Sequence, residues 1–144
     1  MIYALTRFWT LKNLKTLIVV PTTSLVEQMY QDFKEYGWNV KEHCHRVRGG
    51  IEPATDKDVT ITTWQSVYKL PRQYFADFGA IIGDEAHLFK AKSLTSIMNK
   101  LYDCKYRVGF TGTLDGTETN RLVLEGVFGT CLLYTSDAAD DMQC

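Results

Sequence analysis

The sequence predicts an α/β fold built on a mainly parallel sheet. Three observations carry that prediction. Short apolar runs recur at Lys15–Val20, Val59–Thr62, Gly79–Gly83 and Lys105–Phe110, and runs of this length suit strands covered on both faces. The stretches between them place apolar residues at the 3–4 spacing of amphipathic helices. Strand and helix signals alternate along the chain, as expected where helices connect parallel strands.

Each element has a local cause. Residues 2–13 (IYALTRFWTLKN) read as a helix, with Leu5, Phe8 and Trp9 at helical spacing and no Gly or Pro to interrupt them. This helix starts almost at Met1 without a capping residue, so sequence upstream is expected to be missing. Lys15–Val20 reads as a central strand stopped by Pro21. Thr22, Thr23 and Ser24 offer capping hydroxyls to a helix running to about Tyr36, with Leu25, Met29 and Phe33 on its buried face and Gly37 as its stop. Trp38–Val47 alternates loosely, as a strand would, and residues 48–57 form a loop. Val59–Thr62 reads as a strand, followed by a helix from Thr63–Ser66 to Leu70 and a short helix or turn over Pro71–Asp77. Gly79–Gly83 is a buried strand. Ser93 is expected to cap a helix to about Tyr102, with Leu94, Ile97, Met98 and Leu101 on one face. Lys105–Phe110 is a strand, Leu114–Thr117 a turn, and Thr119–Val127 a last helix.

Bulk properties bound the function. The chain has 144 residues, enough for one domain with a real core. A net charge of -1 gives no global nucleic-acid signature, so any such surface must be local. No apolar run approaches a membrane span, and the start lacks a signal-peptide layout. Cys44, Cys104, Cys131 and Cys144 show no CxxC spacing, so a reduced, cytoplasmic chain is expected (host cytoplasm if viral).

The chemistry concentrates at strand ends. Gly79–Gly83 runs into Asp84-Glu85-Ala86-His87, and ligands of open α/β sheets bind where parallel strands end. Of two adjacent carboxylates there, Asp84 can hold Mg2+ through water, and Glu85 can orient and deprotonate an attacking water. Two solvated acids in a loop are the plain alternative. Val20–Met29 passes from strand to helix through hydroxyl residues, a setting that binds phosphate or merely caps the helix. Thr111-Gly112-Thr113 closes another strand, either as a ligand contact or as an ordinary turn. Arg46–Gly50 is a small basic loop with two glycines, open to phosphate contacts or to a hairpin turn. His43-Cys44-His45 suggests a metal cluster, but strand alternation would point Cys44 away from both histidines, and a structural role is expected.

In this order the motifs resemble the first motor domain of superfamily 2 helicases. Asp84–His87 is similar to their DEAH, or Walker B, motif, Pro21–Gln28 to motif Ia, Thr62–Ser66 to motif Ib and Thr111–Thr113 to motif III. The wording also resembles the UvsW-type phage helicases of recombination and fork repair, over about residues 2–129. The resemblance implies a RecA-like (P-loop NTPase) three-layer domain that uses ATP and Mg2+ to translocate on DNA, with unwinding or branch migration of forked or branched DNA. It assigns catalysis to Asp84, Glu85 and His87, with Mg2+ on Asp84. It assigns nucleotide contact to Asp84, Glu85, Thr111, Gly112 and Thr113, and sequence-independent backbone contacts to Thr22, Thr23, Thr63, Trp64 and Gln65. Motif III would couple hydrolysis to the grip. Another superfamily 2 motor, of restriction or RNA type, and a non-catalytic nucleic-acid-binding module are the alternatives.

The sequence departs from that family in three places. It has no G-x-x-x-x-G-K-[ST] loop, which holds a nucleotide's phosphates, and the strand before that loop is expected to be lacking. That strand would lie beside the one ending in Thr111–Thr113. The second RecA-like domain is also expected to be missing. Finally, Cys131–Asp140 reads as a translation of TGT CTC TTA TAC ACA TCT GAC GCT GCC GAC, a sequencing-library transposon end with its adapter. Residues 1–130 are therefore expected to form a partial helicase ATP-binding domain. Residues 131–144 are expected to be a non-native tail, set aside from fold reasoning.

Overall fold

The computed structural model of the chain describes residues 2–85, 91–101, 104–111, 132–134 and 142–143. In chain order the elements are α1 (Ile2–Leu11), β1 (Lys15–Val20), α2 (Thr23–Glu35), α3 (Val40–His43), β2 (Cys44–Val47), β3 (Val59–Thr63) and α4 (Trp64–Val67). They continue with α5 (Arg72–Phe75), β4 (Phe78–Gly83), α6 (Ala91–Lys100), β5 (Tyr106–Thr111), β6 (Leu132–Tyr134) and β7 (Met142–Gln143). The strands form one sheet in the order β2-β3-β1-β4-β5-β6-β7. All neighbours from β2 to β6 are parallel, and β7 runs antiparallel to β6.

Strand alternation divides the core in two. Leu17, Val19 and Ile81 join Val67 of α4, Phe75 of α5, Ile97 and Met98 of α6, and Leu101 just after it on one face. Ile18, Val20, Ile82, Val108 and Phe110 join Trp9, Val26 and Phe33 of α1 and α2 on the other. Helices on both faces of a parallel sheet make the three-layer arrangement expected from the continuous apolar strands. Leu17, Ile18, Val20, Ile61 and Ile82 are sealed from solvent.

β4 changes phase at its start. Lys15 pairs with Phe78 but Thr16 with Ala80, so Gly79 is an extra residue in the ladder. The bulge sends Phe78 to the α5 side, while Ala80 and Ile82 face α1 and α2. A Cβ on Gly79 would sit 2.7 Å from Leu14 Cδ2, so any side chain there would have to displace the end of Leu14.

Several expectations are corrected. Residues 38–47 are not one strand: α3 intervenes, with Asn39 Nδ2 donating to Glu42 Oε2 at 3.1 Å and the Glu42 and His43 amides donating to Asn39 O. His43 therefore ends a helix instead of alternating along a strand. The helix after Thr63 stops at Val67, not Leu70. Ser93 lies buried inside α6, because that helix begins at Ala91. Beyond these corrections, Leu132–Tyr134 pairs with Gly109–Thr111 at the edge of β5. An open strand edge carries unpaired N–H and C=O groups that a short β-prone segment satisfies, and β6 takes the place expected for the strand before a P-loop. The Leu114–Thr117 turn and the Thr119–Val127 helix lie outside the described residues.

Candidate functional site

The strand register brings the sequence motifs to one rim of the sheet. Val20 pairs with Thr63, Val19 with Gly83, and Gly83 with Gly109. Trp64, Pro21 and Asp84, which leave β3, β1 and β4, and Thr111, the last residue of β5, thus lie on one rim within a residue of the same level, in that order across the sheet. Three strand intervals separate the first from the last, about 14 Å. β1 continues through α2 toward β2 on one side, and β4 continues through α6 toward β5 on the other. The crevice between the carboxyl ends of β1 and β4 is therefore a topological switch point, where open α/β sheets bind ligands.

Asp84 sits in that crevice. Its amide donates to Val19 O at 2.9 Å, so the residue is fixed directly against β1. Its Oδ1 accepts the Glu85 amide at 3.0 Å. Burial, followed by the charge of Glu85, raises the Asp84 carboxyl above its ordinary range, and the Glu85 amide only partly opposes this. Glu85 has φ 51, a left-handed conformation uncommon outside glycine. Two half-buried carboxylates at one strand end are hard oxygen donors with unfavourable mutual repulsion. A magnesium ion suits that donor set, and Asp84 and Glu85 would hold it directly or through water. The phosphates of ATP find no comparable fit, since the sequence lacks the glycine-rich loop and lysine that cradle them.

The neighbouring motifs have defined local roles. Thr22 caps α2 with extended backbone, its Oγ1 accepting from the Leu25 amide at 3.3 Å. Thr22, Thr23 and Gln65 are exposed on the rim. Thr63 is buried, and its Oγ1 lies 2.9 Å from Ser66 Oγ. Trp64 is half-buried against the α4–α6 layer, with its ring 5.9 Å from that of Tyr68. The strand pairing carries Thr111 to the same rim. His87, Gly112 and Thr113 lie outside the described residues.

The other titratable groups behave structurally. His43 Nδ1 is 2.7 Å from Asp58 Oδ2, and its ring stacks on Trp38 at 5.4 Å. His45 Nε2 is 2.7 Å from Glu52 O. Burial pushes the Cys44 thiol up to about 12 and the Cys104 thiol to about 11, which makes both poor nucleophiles. No group of three or more His, Cys, Asp and Glu side chains placed to hold a metal ion occurs among the described residues. No described helix is long and apolar enough to cross a membrane.

One arrangement had no sequence signal. Glu27, in the second turn of α2, bonds Arg46 Nη1 through Oε2 at 2.6 Å and Arg48 Nη1 through Oε1. Nothing distinguishes Glu27 from other helical acids until β2 is placed beside α2.

Comparison with known proteins fits this geometry. Residues 1–116 match the family described as type III restriction enzyme, res subunit. The chain is 36% identical over 135 residues to the ATP-dependent DNA helicase uvsW of Enterobacteria phage T4, covering 90% of this chain and 27% of that protein. It is 33% identical over 98 residues to the DNA 3'-5' translocase XPB2 of Sulfurisphaera tokodaii, covering 68% of this chain and 21% of that protein. The crystal structure of T4 UvsW superposes with a TM-score of 0.77 at 33% identity, covering 93% of this chain and 28% of that one. The chain thus spans about a quarter of the length of these relatives. On the family match, the shared sheet and the identity to these helicases, the chain belongs to the type III restriction enzyme res-subunit family of superfamily 2 helicases, as a first RecA-like motor domain.

Proposed function

We propose that the chain serves as the DNA-gripping and metal-holding half of an ATP-driven translocase that unwinds or branch-migrates forked DNA. The observation that carries this is the alignment of Thr22, Thr23, Gln65, Asp84 and Glu85 on one rim, across a topological switch point. The two curated relatives favour DNA over RNA, since they are a DNA helicase and a DNA translocase.

The chain's own residues divide the work. Thr22 and Thr23, with the free amides at the start of α2, bind a backbone phosphate of one strand. Gln65 and the exposed edge of Trp64 bind the next stretch, and Thr63 holds the turn beneath them through Ser66. Asp84 would hold Mg2+, and the ion would supply charge neutralisation for phosphate oxygens. Glu85 would orient a water and accept its proton. Thr111 ends the strand next to that of Asp84 and, with Gly112 and Thr113, would link the state of that site to the DNA grip, while His87 would relay contact with a terminal phosphate. The tail from residue 131 is, in this account, adapter-encoded.

Binding of a fluorescent single-stranded DNA at low salt tests the grip. The chain should bind oligonucleotides of different sequence alike, and Thr22→Ala with Gln65→Ala should weaken binding about tenfold or more, since each phosphate-contacting hydrogen bond is worth roughly 1 kcal/mol. Equal binding by wild type and the double variant would remove this rim from the interface.

A further inference from the structure

The edge of the sheet beyond β3 carries a second concentration of charge. β2 is the outermost strand, and Arg48 leaves its carboxyl end one position after Val47, which pairs with Thr62. Arg48 therefore stands on the same rim as Gln65 and Thr22. Arg46 lies with its guanidinium carbon 3.9 Å from the centre of the Tyr30 ring. Lys57 Nζ reaches Cys44 O at 3.5 Å. These cations, with Tyr30, His45 and Ile51, line a pocket of about 160 Å³. Glu27 answers them, one oxygen to each arginine. Its side chain is 37% exposed, and those of Arg46 and Arg48 are 34% and 40% exposed, so none of the three is locked away from solvent.

A carboxylate and a phosphodiester are both monoanions with two acceptor oxygens, and guanidinium groups bind either in the same fork. Glu27 is also placed on α2 one turn beyond Thr23, so a strand held at the α2 start passes close to the pair. We propose that Glu27 occupies, in the DNA-free chain, the seat that a backbone phosphate of the bound strand takes between Arg46 and Arg48. Glu27 is thus a built-in competitor that sets how tightly, and with what salt dependence, this edge holds DNA. The proposal rests on the DNA-gripping reading above and adds its regulation.

Exchange has a thermodynamic signature. When a phosphate replaces Glu27, the freed carboxylate takes up a cation as the DNA releases one, so the contact contributes little to the salt slope. Without the carboxylate, that release is uncompensated and steepens the slope by about 0.7 for a single strand. Exposed ion pairs of this kind are worth up to ~1 kcal/mol each, so Glu27→Gln should tighten binding about three- to tenfold at low salt.

The experiment measures anisotropy of a labelled oligothymidylate against salt for the wild type, Glu27→Gln, Arg48→Gln and the double variant, with Glu35→Gln as a control for loss of one negative charge on α2. Thermal melts confirm that each variant folds. The proposal expects tighter binding and a steeper slope for Glu27→Gln, a smaller gain for Glu35→Gln, and loss of the Glu27 effect in the Arg48→Gln background. If the wild type binds DNA but Glu27→Gln gains no more than Glu35→Gln, or gains equally with Arg48 absent, the competitor role is overturned and the grip stands. If neither the wild type nor Glu27→Gln binds DNA at any salt, the grip and the competitor fall together.

Discussion

Glu85 joins a catalytic assignment to an unusual backbone, and the two can be separated by mutation. Its φ of 51 places an ordinary L-residue in the left-handed region, which costs about 1–2 kcal/mol. Glycine accepts that conformation freely but gives back roughly 0.5–1 kcal/mol through its greater freedom when unfolded. Glu85→Gly should therefore be more stable than Glu85→Ala by about 0.5–1 kcal/mol, the difference of those two terms. For a domain of this size that amounts to a melting difference of about 2–5 °C. Both substitutions delete the same side chain, so its contacts cancel in the comparison. Urea unfolding of the pair, with Gln31→Gly and Gln31→Ala as a control inside α2, reads the sign. In the helix, alanine should win by about 1 kcal/mol. An alanine variant at 85 as stable as the glycine variant would show that this turn is not left-handed.

Three further outcomes follow from the same geometry. Because burial and Glu85 raise the Asp84 carboxyl above its ordinary 3.8, the folded chain holds that proton more tightly than the unfolded chain. Stability is therefore lost as pH rises above 3.8, and Asp84→Asn should be more stable than wild type at pH 7, with the gain fading below pH 3.8; millimolar Mg2+ should raise the melting temperature of the wild type but not of the variant. Gly79→Ala should destabilise by about 1 kcal/mol or more, as its Cβ meets Leu14 Cδ2 at 2.7 Å, and Leu14→Ala should suppress that cost in a double-mutant cycle. The isolated chain, which lacks the G-x-x-x-x-G-K-[ST] cradle, should release no measurable phosphate from ATP with DNA present, and DNA-stimulated release would refute the partial-site account.

Much of the architecture was legible because single residues dictate it. Lys15–Val20 is apolar up to Pro21, and the observed β1 has those bounds. Thr22 caps α2 as its hydroxyl and position suggest. What stayed hidden depends on distant neighbours. α3 forms because Asn39 and Glu42 bond one another while Val40 is buried beside Trp38, which a loose alternation cannot reveal. The bulge at Gly79 lies against Leu14, far away in sequence. Thr22, Gln65 and Asp84 share a rim only through the strand order β3-β1-β4, which sequence order does not encode. Glu27 meets Arg46 and Arg48 across 19 and 21 residues, so no local pattern announces the contact.

In the proposed function, the carboxyl rim of this sheet grips DNA beside a magnesium site at Asp84. Backbone amide chemical-shift mapping tests it most directly, with single-stranded DNA and Mg2+ titrated separately into the labelled chain. DNA-induced shifts are expected at residues 22–24, 48–50 and 63–66, and Mg2+-induced shifts centred on residues 83–85. Shifts concentrated at the opposite ends of the strands, around residues 15, 58 and 78, would contradict it.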